Sequence, residues 1–223
     1  MSMTFYVAEY PRKADYAEAE TVKAEYDFDR CVRCPQCGRL ASGGYWMQPR
    51  SIKINKRKLP DFLYIYGDQA PFLLSQDALT KIQEAGLTGI TAFQRIEESR
   101  FQRKTKIETE IPPYYHIEVV RSKVRIDHGN SVIVYGKQNK TQYCALCNQI
   151  TATYDFFRTL SLDTRDYEGY DVFYTYELCD TIFLSQRFVD FYRESGLTGL
   201  SFVPAKKHCA WMASYFLDGD EKA

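Results

Sequence analysis

Residues 61–93 read DFLYIYGDQAPFLLSQDALTKIQEAGLTGITAF, and residues 171–203 read DVFYTYELCDTIFLSQRFVDFYRESGLTGLSFV. The two segments share an aspartate, two tyrosines, the triplet LSQ and the tetrapeptide GLTG at a constant offset of 110 residues. The same register extends back to residue 34, and 14 of the 57 positions from 34 to 90 are identical to their counterparts. This internal match predicts a tandem duplication. Because stacked solenoids need about three or more repeats, two copies predict a pseudo-twofold pair instead.

Each copy is predicted to contain a strand–helix–strand unit. A run of alternating aromatic residues opens each quoted segment, which is typical of a β-strand. Ser75 and Ser185 are good N-cap residues for the helices that follow, and Gly86 and Gly196 stand where a left-handed residue ends a helix. Short aromatic and β-branched runs starting at residues 5 and 115 predict an opening strand in each copy. The predicted fold class is therefore α+β.

The boundary between the copies is predicted in the charged segment 94–112. This segment runs into Pro112 and Pro113, which cannot continue a helix. Repeat 1 then covers residues 1–110 and repeat 2 covers residues 111–223. Since a chain of 223 residues is long enough to bury a sizeable core, we expect the repeats to form one integrated globular unit.

Composition argues against nucleic-acid and membrane proteins. The chain has 29 Lys and Arg residues against 29 Asp and Glu residues, whereas nucleic-acid-binding proteins are usually basic. No run approaches the roughly 18 apolar residues that a transmembrane helix needs, and the first residues do not resemble a signal peptide. We therefore expect a cytoplasmic protein whose thiols are kept reduced.

Two cysteine pairs carry the most specific chemical signal. Cys34-Pro-Gln-Cys37-Gly38 has the form of a zinc knuckle, with Gly38 available for a positive φ. The second copy, Cys144-Ala-Leu-Cys147-Asn148, lacks the Pro and the Gly, although Asn tolerates the left-handed conformation. A structural Zn²⁺ needs four ligands, and a pseudo-twofold pairing would supply them by joining the two knuckles. The predicted metal ligands are Cys34, Cys37, Cys144 and Cys147.

Other interpretations of these cysteines remain open. A redox-active CxxC motif, a disulfide pair and buried thiols without metal are each compatible with the spacing. An iron–sulfur cluster is suggested by the spacing of Cys31, Cys34 and Cys37, but the expected fourth Cys is missing. Cys31, Cys179 and Cys209 have no counterparts in the other copy, which favours core or surface thiols.

Catalytic motifs are missing from the sequence, so no catalytic residue is predicted. There is no Gly-rich phosphate loop, no GxSxG motif and no paired carboxylates that the repeat makes stand out. A metal held by four cysteines also leaves no open coordination position for chemistry. These features favour a binding protein over an enzyme with a small-molecule substrate.

Charge is distributed unevenly despite the neutral total. Segment 50–58 carries five bases, and segment 14–29 carries one Lys and six acids. The two segments could be solvated faces, could pair with each other, or could include a docking surface for a partner. As the partner-binding candidate we take the acids, which are Asp15, Glu18, Glu20, Glu25, Asp27 and Asp29.

The two CxxC pairs, each followed by LSQ, a helix and GLTG, resemble the bacterial double-CXXCG motif proteins. That family includes swarming-inhibition immunity proteins of polymorphic-toxin systems, and the resemblance covers nearly the whole chain. It departs from the family pattern at Asn148, where a second Gly is expected. The resemblance implies a cytoplasmic, non-enzymatic protein that protects its producer by binding a cognate toxin.

Two other functions are kept as alternatives. A zinc-ribbon-like adaptor would bind nucleic acid or another protein through segment 50–58, and it would need bases gathered on one face. A thiol oxidoreductase would need a low-pKa thiolate at Cys34.

Overall fold

A computed structural model describes residues 3–11, 15–38, 40, 44–66, 72–102, 110–134, 144, 156–178 and 181–208. In the first half, the elements are β1 (Phe5–Glu9), β2 (Glu18–Thr21), β3 (Tyr26–Asp27), β4 (Tyr45–Trp46), β5 (Ser51–Ile54), β6 (Phe62–Tyr66), β7 (Phe72–Ser75), α1 (Gln76–Glu84), β8 (Ile90–Arg95) and β9 (Glu98–Phe101). In the second half, they are β10 (Tyr114–Val119), β11 (Arg125–Ile126), β12 (Val132–Val134), β13 (Phe156–Thr159), β14 (Leu162–Asp163), β15 (Val172–Phe173), β16 (Phe183–Ser185), α2 (Gln186–Glu194), β17 (Ser201–Pro204) and a 3-10 turn at Ala205–Lys207. This mixture confirms the predicted α+β class.

Both helices begin and end as the sequence predicts. The Ser75 hydroxyl accepts a hydrogen bond from the Ala78 N–H at 3.1 Å, and the Ser185 hydroxyl accepts one from Phe188 at the same distance. These bonds satisfy N–H groups that have no partner inside the helix. Gly86 and Gly196 follow the helices with φ angles of 61° and 69°. The positive φ predicted at both positions is confirmed.

A central hydrophobic core is shared by the two halves. Each helix buries one apolar face in it, including Ile82 of α1 and Val189 of α2. Strands from both halves supply the remaining apolar side chains, for example Leu74 and Leu184. Neither half could bury this surface alone, so the two halves fold around one interior.

Two sheets surround this core. The larger sheet has seven strands in the order β8-β10-β7-β6-β2-β5-β9, and the smaller one has four in the order β15-β16-β1-β17. Each sheet turns its other face to a core of its own. Leu63 and Leu73 lie in the core behind the larger sheet, while Phe173 and Phe183 lie in the one behind the smaller sheet.

The opening strands are exchanged between the halves. Strand β1 pairs antiparallel with β16 and β17, and strand β10 pairs antiparallel with β7 and β8. Each opening strand therefore completes the sheet of the other half. The opening strands are predicted from the sequence, but their exchange is not, because strand propensity says nothing about the pairing partner.

A pair of aspartate–threonine contacts also crosses between the halves. The Thr198 hydroxyl donates to Asp61 Oδ2 at 2.8 Å and the Thr198 N–H donates to the same oxygen at 2.9 Å. The Thr88 hydroxyl and N–H donate to Asp171 Oδ2 at 3.2 and 3.0 Å. The second carboxylate oxygens accept from the helix-capping hydroxyls of Ser75 and Ser185 at 3.0 and 2.8 Å. Each aspartate thus ties the start of its own helix to the GLTG segment of the other half.

The last glycine of each GLTG segment packs against backbone of the other half. A Cβ atom added to Gly89 would lie 1.9 Å from the Val172 carbonyl oxygen, and one added to Gly199 would lie 2.2 Å from that of Phe62. Both glycines have φ of 101°. Only glycine fits these two positions, because both the space and the conformation exclude a side chain.

The structure differs from the sequence interpretation at two elements. The predicted connector 94–112 contains strand β9, which pairs in parallel with β5. Its sequence, ESRF, is short and charged because it forms a sheet edge, so it lacks the apolar alternation of a half-buried strand. The strand predicted over 171–176 is shorter, since β15 covers Val172–Phe173.

We expect Gly199→Ala to destabilise the protein by about 2–4 kcal/mol, through backbone strain plus the clash with Phe62. Gly196→Ala is the matched control, because Gly196 also has a positive φ but no atom lies within 4 Å of its added Cβ. It should lose only about 1 kcal/mol. Urea unfolding of both variants measures the difference, and equal losses would contradict the close approach.

We expect Thr198→Val to lower the free energy of unfolding by about 2 kcal/mol. The substitution keeps the β-branched shape but removes a hydroxyl that donates to the Asp61 carboxylate and accepts from the Asp61 N–H. Thr80→Val on the exposed side of α1 is the control and should change stability by less than about 0.5 kcal/mol. A Thr198→Val variant as stable as this control would show that the contact contributes nothing.

Candidate metal centre

The first cysteine pair lies on an arm formed by a short hairpin. Strands β3 and β4 pair antiparallel, with Tyr26 opposite Trp46. Trp46 is fully buried in the core behind the larger sheet, so it anchors the arm. Between the strands, the Gly38 N–H donates to the Cys34 carbonyl at 2.9 Å, and Gly38 has φ of 72°. The tight turn predicted from the CPQCG sequence is confirmed.

Three cysteine sulfurs meet at this turn. The Sγ atoms of Cys34, Cys37 and Cys144 all lie within 4.8 Å of one another, and those of Cys34 and Cys144 are 3.7 Å apart. Sulfurs sharing a tetrahedral Zn²⁺ at about 2.3 Å would be roughly 3.8 Å apart, whereas a disulfide requires about 2.05 Å. None of the three forms a disulfide with another described residue. The donor set therefore fits a thiophilic metal ion, and the cluster joins the two halves of the chain.

The environment of Cys34 lowers the pKa of its thiol. Burial of the thiol opposes ionisation, but hydrogen bonds from the backbone N–H groups of Cys37 and Gln36 outweigh it and lower the pKa of Cys34. A metal binds the thiolate rather than the thiol, so these backbone donors prepare the sulfur for coordination.

Of the remaining four cysteines, the structure describes Cys31. Cys147, the fourth predicted ligand, lies outside the described residues, as do Cys179 and Cys209. Cys31 is half-buried, and its thiol donates to the Asp27 carbonyl oxygen at 3.6 Å. It does not join the other sulfurs, which disfavours the iron–sulfur interpretation built on Cys31, Cys34 and Cys37.

The structure divides the six candidate acids into two groups. Asp15, Glu18 and Glu20 lie on or before β2, which pairs antiparallel with β5 of the basic segment. There Lys56 Nζ contacts Asp15 Oδ1 at 2.7 Å, and Lys53 stands opposite Glu20. The acidic and basic segments therefore do pair with each other. This pairing offsets part of the positive charge that a nucleic-acid adaptor would need on one face.

The second group of acids lies on the cysteine-bearing arm. Glu25 precedes β3 and is exposed, as is Asp29 beyond it. Asp27 Oδ1 accepts a hydrogen bond from the Asp29 N–H at 2.9 Å, which closes a tight turn. The six acids thus do not form one continuous patch.

Comparison with known proteins identifies a family. A family model described as Immunity protein family (Imm11) matches residues 69–207, more than half of the chain. The match contains both helices and both GLTG segments, and it confirms the prediction of an immunity protein family. The comparison with curated proteins finds no match. Within the described residues, neither helix is long and apolar enough to span a membrane.

Proposed function

We propose that this chain, which belongs to the Imm11 immunity protein family, binds and neutralises a cognate bacterial toxin domain. The family match is the observation that carries the proposal. It covers both helices and both GLTG segments, which contribute to the central core and to the contacts between the halves. The toxin belongs to a polymorphic-toxin system, and the chain acts in the cytoplasm of the cell that produces both proteins.

Neutralisation occurs by occlusion, without catalysis and without a small-molecule substrate. Because a toxin that is an enzyme kills at low copy number, the complex must be nanomolar or tighter, about −12 kcal/mol or better. Such affinity usually takes an interface on the order of 1,600 Å². Most of this surface lies outside the cysteine turn, which is too small to supply it.

The acidic residues of segment 14–29 contribute to capture of the toxin. Toxins that attack nucleic acid are often basic, so exposed carboxylates speed their association by electrostatic steering. Their exposure supports this role, since most of the six side chains reach solvent. The residues are Asp15, Glu18, Glu20, Glu25, Asp27 and Asp29.

The metal is a structural Zn²⁺ bound by Cys34, Cys37, Cys144 and Cys147. Three of these sulfurs are close enough to share one ion, and two cysteines at CxxC spacing typically bind the same zinc, which supports Cys147 as the fourth ligand. When bound, zinc cross-links the two halves and contributes binding energy to folding.

The two halves are copies of one unit, residues 1–110 and 111–223, related by an approximate twofold axis. The offset of 110 residues supports this inference, because features of one half recur at that offset in the other. The two aspartate–threonine contacts and the two helix caps correspond in this way. The pairing of β6 with β7 likewise corresponds to the pairing of β15 with β16. The halves form one integrated unit because each completes the other's sheet.

Protein purified without added metal should contain one zinc per chain by elemental analysis. Cys34→Ser should lower this to less than about a tenth of an equivalent and should destabilise both halves together. Cys31→Ser is the matched control and should keep its zinc, because the Cys31 thiol is directed elsewhere. Wild-type protein with reduced thiols and less than about a tenth of an equivalent would leave the cysteines as metal-free thiols.

Co-expression with the toxin encoded by the adjacent gene tests the function itself. Cells that make the toxin should survive only when they also make this chain, and the two proteins should co-purify. The toxin's catalytically inactive variant serves as the control for toxicity. Cells that die equally fast with and without the chain, together with no co-purification, would refute the immunity function.

A further inference from the structure

The central core does not cover the whole face of the larger sheet. Every second residue of a strand lies on the same face, so residues 62, 64 and 66 of β6 share one face of the larger sheet. Phe62 is buried in the central core and Tyr64 lies at its margin, but Tyr66 is 50% exposed. The central core therefore covers this face at the Phe62 end of β6 and leaves it exposed at the Tyr66 end, beside Glu20 of β2. We refer to the Tyr66 end as the open end.

Aromatic rings form a continuous row from the central core to the open end. The Tyr64 ring contacts Tyr10 with centroids 5.1 Å apart, Tyr66 at 4.8 Å and Phe72 at 5.9 Å. Tyr64 and Tyr66 meet edge to face, which is a favourable arrangement for two rings. Tyr66 therefore packs its ring against Tyr64 although half of it is exposed.

Carboxylates stand beside these rings on the next strand. The parallel pairing of β2 with β6 places Glu18 next to Tyr64 and Glu20 next to Tyr66. Glu18 Oε2 accepts from Asn55 Nδ2 at 3.0 Å. Burial and a hydrogen bond with Glu18 raise the pKa of Tyr10 to about 12, so this hydroxyl stays protonated beside the carboxylate. Glu20 is exposed and stands opposite Lys53 of β5, but its carboxylate forms no ion pair or hydrogen bond among the residues that the structure describes.

A ring next to a carboxylate is a favourable site for a guanidinium or an ammonium group. The ring face attracts the cation, and the carboxylate pairs with it. The chain uses the same chemistry internally, since the Arg30 guanidinium lies 3.4 Å from the Tyr45 ring centroid and the Lys58 ammonium 4.5 Å from that of Tyr16. Tyr and Arg are also the residues that most often dominate the binding energy of protein interfaces.

We propose that Tyr64, Tyr66, Glu18 and Glu20 form a docking ledge that receives an Arg or Lys side chain of the cognate toxin. This inference rests on the proposed function, because it names the surface through which the toxin is bound. A positively charged partner complements the ledge, where two carboxylates stand beside an already ordered aromatic row. Of the six candidate acids, the ledge therefore assigns toxin binding to Glu18 and Glu20 rather than to the acids on the cysteine-bearing arm.

Calorimetric titration of the full chain with the purified toxin domain of the adjacent gene tests the ledge. Tyr66→Ala should raise Kd about ten-fold or more, and Tyr66→Phe should stay near wild type, because the ring rather than the hydroxyl receives the cation. Glu20→Gln should raise Kd about three- to ten-fold, with a loss that shrinks at high salt. The matched controls, Tyr176→Ala at the equivalent position of the second half and Glu84→Gln at the end of α1, should leave Kd within about two-fold.

The possible outcomes separate this inference from the proposed function. A wild-type chain that neither binds the toxin nor protects cells overturns the proposed function, and the ledge with it. A chain that binds the toxin, with Tyr66→Ala and Glu20→Gln both within about two-fold of wild type, overturns the ledge alone. A wild-type dimer that Tyr66→Ala dissociates would assign the surface to a second copy and also overturn it. Unchanged thermal unfolding of each variant shows that the fold is intact.

Discussion

The contact of each aspartate with the GLTG segment of the other half is the constraint on which the rest of the structure depends. One carboxylate oxygen of Asp61 accepts two hydrogen bonds from Thr198, while the other caps helix α1 through Ser75. A single side chain therefore sets the start of a helix and the position of the opposite half. A shift of one half against the other would break the hydrogen bonds to Thr198 and disturb the contact with the capping serine. The central core therefore has one arrangement rather than several.

Much of the fold could be predicted from the sequence because its signals are local. The capping serines, the terminal glycines and the alternating aromatic residues each act within a few positions of the chain. The exchange of β1 and β10 and the edge strand β9 could not be predicted, because they depend on pairings between distant residues. A repeat shows which segments are equivalent, but it does not show whether an element packs in its own half or in the other.

The grouping of three cysteine sulfurs also follows from local signals and the repeat. Spacing alone indicated Cys34 and Cys37, and the repeat added Cys144 although its turn lacks the Pro and Gly of the first. The threonines of the GLTG segments were missed as contacts, although both are identical in the two copies. The ledge around Tyr66 was also missed, since an alternating tyrosine predicts a strand equally well whether its ring is buried or exposed.

The two halves are most similar in sequence and structure at the contacts between them, and least similar outside the shared core. The aspartates, capping serines and GLTG segments match in both, because each must fit its counterpart across the shared core. The larger sheet extends beyond that core through β2, β5 and β9, whereas in the described second half β11 pairs only with β14. Residues outside the shared core are free of this mutual constraint. A binding surface can therefore diverge on the extension, which carries Glu20 beside Tyr66, while the paired centre stays unchanged.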